Sequence, residues 1–316
     1  MRCSCCAGSG CAASRRLLHL TRHLLTGAEL EAAHLTSILD RALALKEAPA
    51  ASDVLAGRSV ALLFEQPSTR TRTSMEAGVV ELGGHPMVLR ANELQLTRGE
   101  SVRDTALVFS RHVAAIGLRT SDDARLAELA EHATVPVLNL LSPSHHPCQV
   151  LADLMTLRQA FGAIAGRRLA YVGDGNNVAR SLAILGALAG VEVAVAAPEG
   201  HQLEDGLGAR LTHDPAEAVA GADAVYTDVW VSMSDSEEEA AARREALAPY
   251  RLDDALLDRA APHAFALHCL PAHPGEEITE SVLYGSRQRI WDQAENRRHA
   301  QKALLEFLVS RASTPG

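Results

Sequence analysis

Short apolar runs alternate along the chain with longer Ala- and Leu-rich stretches of helical spacing. In the first half the runs Ser59–Phe64, His85–Leu89, Ala114–Leu118 and Val135–Leu138 read as strands. In the second half Arg168–Val172, Val191–Ala196, Ala222–Thr227 and Ala264–Leu267 do the same. Strands separated by helical segments predict parallel sheets with crossover helices, an α/β fold. Gln149–Phe161 reads as a long helix joining two lobes. In the final segment, Ala294–Val309, the residues Ala300, Ala303, Leu304, Phe307 and Leu308 fall on one helical face that should be buried.

Unusual polar residues cluster where these runs end. Arg119 follows the third, Asn139 the fourth, and Gly173-Asp-Gly-Asn-Asn177 the fifth; Asp228 follows the seventh and His268-Cys-Leu-Pro271 the eighth. Open parallel sheets bind ligands beyond the carboxyl ends of their strands. Two such sheets facing each other across a cleft would bring these residues together.

Ser68-Thr-Arg-Thr-Arg72 directly follows the first strand and opens a helix. Hydroxyls, guanidinium forks and the free N–H groups of a helix N-terminus suit a phosphate. The plainer alternative is a capped helix with solvated arginines. Gly173-Asp-Gly-Asn-Asn-Val-Ala179 resembles a dinucleotide fingerprint, with Glu199 near the end of the next strand. Its third glycine position holds Ala179, and two asparagines occupy the turn that a pyrophosphate should approach. Those amides suit a zwitterionic amino acid better.

His146 and Gln149 are spaced to reach one small polar group, and Asp228 and Ser232 offer a carboxylate and a hydroxyl. Each pair could instead simply cap a turn or helix. A Cys/His nucleophile at His268-Cys269 is disfavoured, because neighbouring side chains on a strand point to opposite faces.

Composition narrows the field. A net charge of −9 over 316 residues argues against nucleic acid, so the arginines mark a local anion site. No apolar run approaches the roughly 18 residues of a membrane span, and the chain reads as soluble and cytoplasmic. Cys3, Cys5, Cys6 and Cys11 crowd the start, but match no standard zinc finger; Cys148 and Cys269 lie far apart. The first 28 residues contain no acid, which fits a transit peptide or a start codon placed too far upstream.

Seven segments, in order, resemble the aspartate/ornithine carbamoyltransferase family from about Arg22 to Leu308. They are Phe64-Glu-Gln-Pro-Ser-Thr-Arg-Thr-Arg72, Arg119, His146-Pro-Cys-Gln149, Gly173-Asp-Gly-Asn-Asn177, Asp228-Val-Trp-Val-Ser-Met233, His268-Cys-Leu-Pro271 and Glu295-Asn-Arg297. Cys269, Ser232-Met233 and an intact Thr69 point to the ornithine branch. The resemblance implies the carbamoyltransferase fold, two parallel-sheet α/β domains facing across a cleft. Residues 22–148, completed by a C-terminal helix over 294–316, would bind carbamoyl phosphate. Residues 149–293 would bind ornithine, and 1–21 would form an extension.

The implied roles follow the motifs. Ser68, Thr69, Arg70 and Thr71 would hold the phosphate, joined by Gln95 from a neighbouring subunit of a homotrimer. Arg119 and His146 would polarise the carbamoyl oxygen, while Gln149, Cys269, Leu270 and Arg297 would orient the carbamoyl group. Asn177, Asp228, Ser232 and Met233 would bind ornithine, with Cys269 beside its δ-amine. No metal or organic cofactor is implied. The chain departs from the family's usual Lys at Gln66 and its glycines at Leu140 and Ser234, and Ala272-His273-Pro274-Gly275 follows the His-Cys-Leu-Pro motif where the family often has an Arg. The rival functions are a carbamoyltransferase for a related amine or an N-modified ornithine, a dinucleotide-dependent dehydrogenase and a catalytically silent binding protein.

Overall fold

The computed structural model describes residues 23–49, 51–231 and 236–312. The N-terminal cysteine cluster, Ser232, Met233 and Ser234 therefore lie outside the described residues.

The first half runs α1 (Ala32–Glu47), β1 (Ser59–Phe64), α2 (Thr69–Glu81), β2 (His85–Arg90), α3 (Val102–His112), β3 (Ala115–Arg119), α4 (Asp123–His132), β4 (Val137–Leu141) and α5 (Pro147–Phe161). The second half runs β5 (Arg168–Val172), α6 (Asn177–Leu188), β6 (Glu192–Ala196), β7 (Arg210–Thr212), α7 (Pro215–Val219), β8 (Ala224–Thr227), α8 (Glu237–Leu247), α9 (Asp254–Leu257), β9 (Phe265–His268), α10 (Glu280–Leu283) and α11 (Ile290–Ala312). The strands form two sheets, ordered β2-β1-β3-β4 and β7-β6-β5-β8-β9. Every pairing between these strands is parallel. Two parallel sheets with crossover helices are the architecture the sequence predicts.

Central strands are buried on both faces because helices cover both sides, which is why β1 and β5 read as near-continuous apolar runs. One core lies between the sheets and includes residues of α1, α5, α6 and α11. Separate clusters fill the outer face of each sheet. Helix α11 contacts α5, α1 and α2 and also touches β9, so both lobes are tied to it.

Three expectations shift. The fourth strand begins at Val137 instead of Val135, since Pro136 lacks the N–H that a ladder needs. Asn139 then sits inside β4, fully buried, and donates to the Leu25 carbonyl at 2.7 Å and to Ser142 Oγ at 2.9 Å. It anchors the N-terminal segment and does not face the cleft from a strand end. The three-residue edge strand β7 escaped the pattern because Arg-Leu-Thr contains no apolar run.

Leu140, one of the positions where the chain departs from the expected pattern, is fully buried. A Cβ on Gly117 of the neighbouring strand β3 would lie 2.9 Å from Leu140 Cδ1. The missing side chain at Gly117 thus makes room for the extra one at Leu140.

Candidate active site

Both sheets reverse winding direction at a central strand: β1 lies between β2 and β3, and β5 between β6 and β8. The loops leaving β1, β3, β5, β8 and β9 carry most of the motif residues, as the switch-point rule requires.

Helix α2 begins just beyond β1. Its N-cap, Ser68, accepts from the Thr71 N–H at 3.4 Å, and Thr69 and Arg70 form its first turn. Thr71 is buried, and its Oγ1 accepts from Arg297 Nη2 at 2.6 Å. The second arginine of the motif does not converge on this point. Arg72 turns along the helix to pair with Glu76, four residues on, at 2.8 Å.

Arg70, Arg119 and Arg297 come close enough to repel one another. Burial, then Arg297 and Arg70, bring the Arg119 guanidinium down to about 10, so it stays charged at neutral pH. Burial and the same three cations hold His146 well below its ordinary value, leaving a neutral imidazole. Pro147 at the first position of α5 sets the helix start, and Ser181 Oγ accepts the His146 backbone N–H at 2.8 Å. Arg119 Nε, His146 Nδ1 and Arg297 Nε are buried polar atoms with no hydrogen-bond partner in the protein. A cationic recess with unspent polar atoms suits an anion carrying a carbonyl group.

Gln149 is buried and accepts from Arg297 Nη1 through its Oε1. Arg297 sits on α11, so that helix joins α2 and α5 at the recess.

The second half of the site gathers at the ends of β5, β8 and β9. Asn176 caps α6 by accepting from the Val178 and Ala179 N–H groups at 2.9 and 3.2 Å. Its Nδ2 donates to Asp228 Oδ2 at 2.8 Å. Asn177 reaches the other way and donates to the Ser142 carbonyl at 2.8 Å, bridging the two lobes. The glycine loop is closely packed, because a Cβ on Gly175 would lie 2.5 Å from the His201 carbonyl oxygen.

Cys269 Sγ donates to Asp228 Oδ1 at 2.8 Å. Burial and then Asp228 push the thiol well above its ordinary value, so no thiolate forms near neutrality. His268 cannot activate it. The Leu270 N–H donates to His268 Nδ1 at 2.8 Å, which puts the imidazole proton on Nε2, facing buried Glu277 at 3.0 Å. Those bonds hold Leu270 at φ 61, a left-handed conformation that β-carbon-bearing residues avoid. Asp228, His268 and Cys269 each present a donor atom within 4.8 Å of the others. Their internal hydrogen bonds already occupy them, which makes a poor metal cage.

Gln95 stands apart from this cluster, exposed in a 3₁₀ turn, Gln95–Arg98, that follows β2. Reading the sequence singled out the Asn176–Asn177 turn but missed Asp153 and Gln293 as site-supporting residues. The i, i+4 spacing of Gln149 and Asp153 on a predicted helix was an available signal for one of them.

The profile described as aspartate/ornithine carbamoyltransferase, carbamoyl-P binding domain, matches residues 22–159. The Asp/Orn binding domain profile of the same family matches 165–308. An ornithine carbamoyltransferase of Acidothermus cellulolyticus is 52% identical over 311 residues, covering 94% of this chain and 99% of its own. The ornithine carbamoyltransferase structure from Pyrococcus furiosus superposes with a TM-score of 0.88 at 43% identity, covering 92% of this chain and 97% of that one. The Thermus thermophilus enzyme gives 0.85 at 43%, covering 91% and 99%. With both sheets, both profiles and the motif order in agreement, this chain belongs to the aspartate/ornithine carbamoyltransferase family.

Proposed function

We propose that the chain transfers the carbamoyl group of carbamoyl phosphate to the δ-amine of L-ornithine, releasing L-citrulline and phosphate. The observation that carries this reading is the meeting of Arg70, Arg119 and Arg297 around a neutral His146 beside the N-terminus of α2. In this reading residues 22–148 with 294–316 bind carbamoyl phosphate, and residues 149–293 bind ornithine.

Ser68, Thr69, Arg70 and Thr71 hold the phosphate dianion with hydroxyls, a guanidinium fork and helix N–H groups. Arg119 and His146 face the carbamoyl oxygen. Gln149, Arg297 and the backbone carbonyls of Cys269 and Leu270 orient the carbamoyl group. Asp228 takes the α-ammonium of ornithine, with Asn177, Ser232 and Met233 completing the amino-acid end, and Cys269 lies beside the δ-amine.

The neutral δ-nitrogen attacks the carbonyl carbon, and negative charge gathers on the oxygen between Arg119 and His146. As the intermediate collapses, the C–O bond to phosphate breaks. The proton lost from nitrogen ends on the departing phosphate. Alignment of amine and carbonyl alone can supply roughly 7–11 kcal/mol of the barrier reduction.

The active assembly in this reading is a homotrimer in which Gln95 reaches the phosphate of the next subunit. Exposed Val80, Leu107 and Val108 on α2 and α3 supply apolar surface on the same lobe for such an association. No helix among the described residues is long and apolar enough to cross a membrane.

Citrulline formation, measured with ornithine and the carbamoylated products expected from N-acetylornithine, putrescine and aspartate, tests the reading. Ornithine should be preferred by orders of magnitude. Preference for another acceptor, or no carbamoyl transfer at all, would overturn it.

A further inference from the structure

Behind the recess lies a carboxylate to which the reaction gives no role. Asp153, on α5, is completely buried. Its Oδ1 accepts from Gln149 Nε2 at 2.8 Å and from Gln293 Nε2, on α11, at 2.6 Å. A carboxylate oxygen can only accept, so both carboxamides must turn their NH₂ groups toward it. Their oxygens then face outward. Gln149 Oε1 meets Arg297, and Gln293 Oε1 accepts the His268 N–H at 3.0 Å, one residue before Cys269. Gln293 Nε2 also donates to Tyr226 OH at 3.0 Å. Asp153 Oδ1 on one side, and the donor-only Arg297 and His268 N–H on the other, together fix the polarity of a buried chain running from Thr71 through Arg297 and Gln149 to the end of β9.

We infer that Asp153 is a positioning residue that holds Gln149 Oε1 as an acceptor toward the carbamoyl NH₂, and so selects carbamoyl phosphate over acyl phosphates lacking that group. The inference rests on the proposed reaction and adds a specificity device to it. An amide oxygen has two lone pairs. One takes Arg297 and the second remains for a substrate N–H. Acetyl phosphate presents a methyl group at the same place and would leave that oxygen buried without a donor.

Protonation does not disturb the arrangement. Burial raises the Asp153 carboxyl to about 7 against the hydrogen bonds from Gln293 and Gln149. Oδ1 already accepts two N–H groups, so a proton taken up at Oδ2, on a carboxyl that lies near the Tyr226 hydroxyl, leaves Oδ1 an acceptor. Asparagine can reproduce the same oxygen, whereas leucine cannot.

Asp153→Leu should raise the KM for carbamoyl phosphate at least about ten-fold, the order of one lost hydrogen bond. Competitive inhibition by inorganic phosphate, which needs only the α2 and arginine contacts, should stay within about two-fold. Discrimination between carbamoyl and acetyl phosphate, the latter read as a competitive inhibitor, should shrink by a similar factor. Asp153→Asn should remain near wild type in all three. Parallel loss of phosphate and carbamoyl phosphate affinity, or an Asn variant as impaired as Leu, would reduce Asp153 to a packing role and overturn the inference. Because Asp153→Leu could fail to fold, the wild-type protein provides a second test. A neutron crystal structure should show the Gln149 deuterons facing Asp153. Deuterons facing Arg297 would overturn the inference whatever reaction the chain catalyses, so the two claims can fail separately.

Discussion

Cys269 Sγ and Asp228 Oδ1 lie 2.8 Å apart and join the ends of the adjacent strands β9 and β8. The thiol keeps its proton and donates a hydrogen bond to a carboxylate that would resist a second negative charge beside it. Cys269 should therefore react with iodoacetamide far more slowly at pH 8 than a free thiol does. Asp228→Asn should accelerate labelling by removing that charge. Peptide-resolved mass spectrometry separates Cys269 from the N-terminal cysteines and from Cys148, whose thiol burial pushes up to about 12. Rapid labelling of Cys269 in the wild type would contradict this picture.

Gly117 and Leu140 should behave as one packing unit. Adding a methyl group at Gly117 drives it into a buried isobutyl group and should cost about 1–3 kcal/mol. Leu140→Ala alone leaves a cavity and should cost about 2–5 kcal/mol. In the double variant the new methyl occupies part of that cavity, so the losses should fall short of their sum by about 1 kcal/mol or more. Urea denaturation of the four proteins measures the coupling, and strict additivity would show that the two sites are independent.

The buried Asp153 predicts a stability signature with a definite sign. Its carboxyl titrates near 3.8 when unfolded and at about 7 when folded. Between those values the folded state holds the extra proton, so stability falls as pH rises from about 4 to about 7 and levels off above. Linkage converts that interval into about 4 kcal/mol. Asp153→Asn carries no such titration, so its stability relative to wild type should climb across the same window. A constant difference between the two proteins from pH 4 to pH 7 would show that the carboxyl titrates alike in both states.

The parallel α/β architecture and the strand-end residues were legible because both rest on local patterns. Apolar runs mark β1, β5 and β8, and a polar residue directly after each run is visible without a fold. The support behind them was not legible. Asp153, Gln293 and Tyr226 meet only because α5, α11 and β8 converge, and Gln293 lies 140 residues from Asp153. Arg72 looked equivalent to Arg70 in sequence. Two residues along the helix, more than half a turn, separate a side chain facing the recess from one facing Glu76. Asn139 misled for a similar reason, since a two-residue shift of β4 moves it from the strand end into the sheet. Leu270 shows no sign in sequence of its left-handed backbone, which follows from the His268 and Glu277 hydrogen bonds beside it.

The proposed shared site makes a numerical prediction. If each phosphate site combines its own Arg70 with Gln95 from the next subunit, neither Arg70→Leu nor Gln95→Ala homotrimers contain an intact site. Arg70→Leu should lose nearly all turnover, since a bidentate contact with a dianion has no substitute among its neighbours. In a mixed ring, a Gln95→Ala subunit still supplies Arg70, and an adjacent Arg70→Leu subunit still supplies Gln95. Head-to-tail contacts in a closed ring are directional, so each mixed trimer contains one such junction. Random reassembly of equal amounts should therefore restore about one quarter of the sites, the product of two even chances at each junction. Subunit exchange can be verified by native mass spectrometry with one partner isotopically labelled, and citrulline formation then reads the recovery. Activity no higher than that of the parent variants after verified exchange, or full activity in a wild-type monomer, would place the whole phosphate site within a single chain.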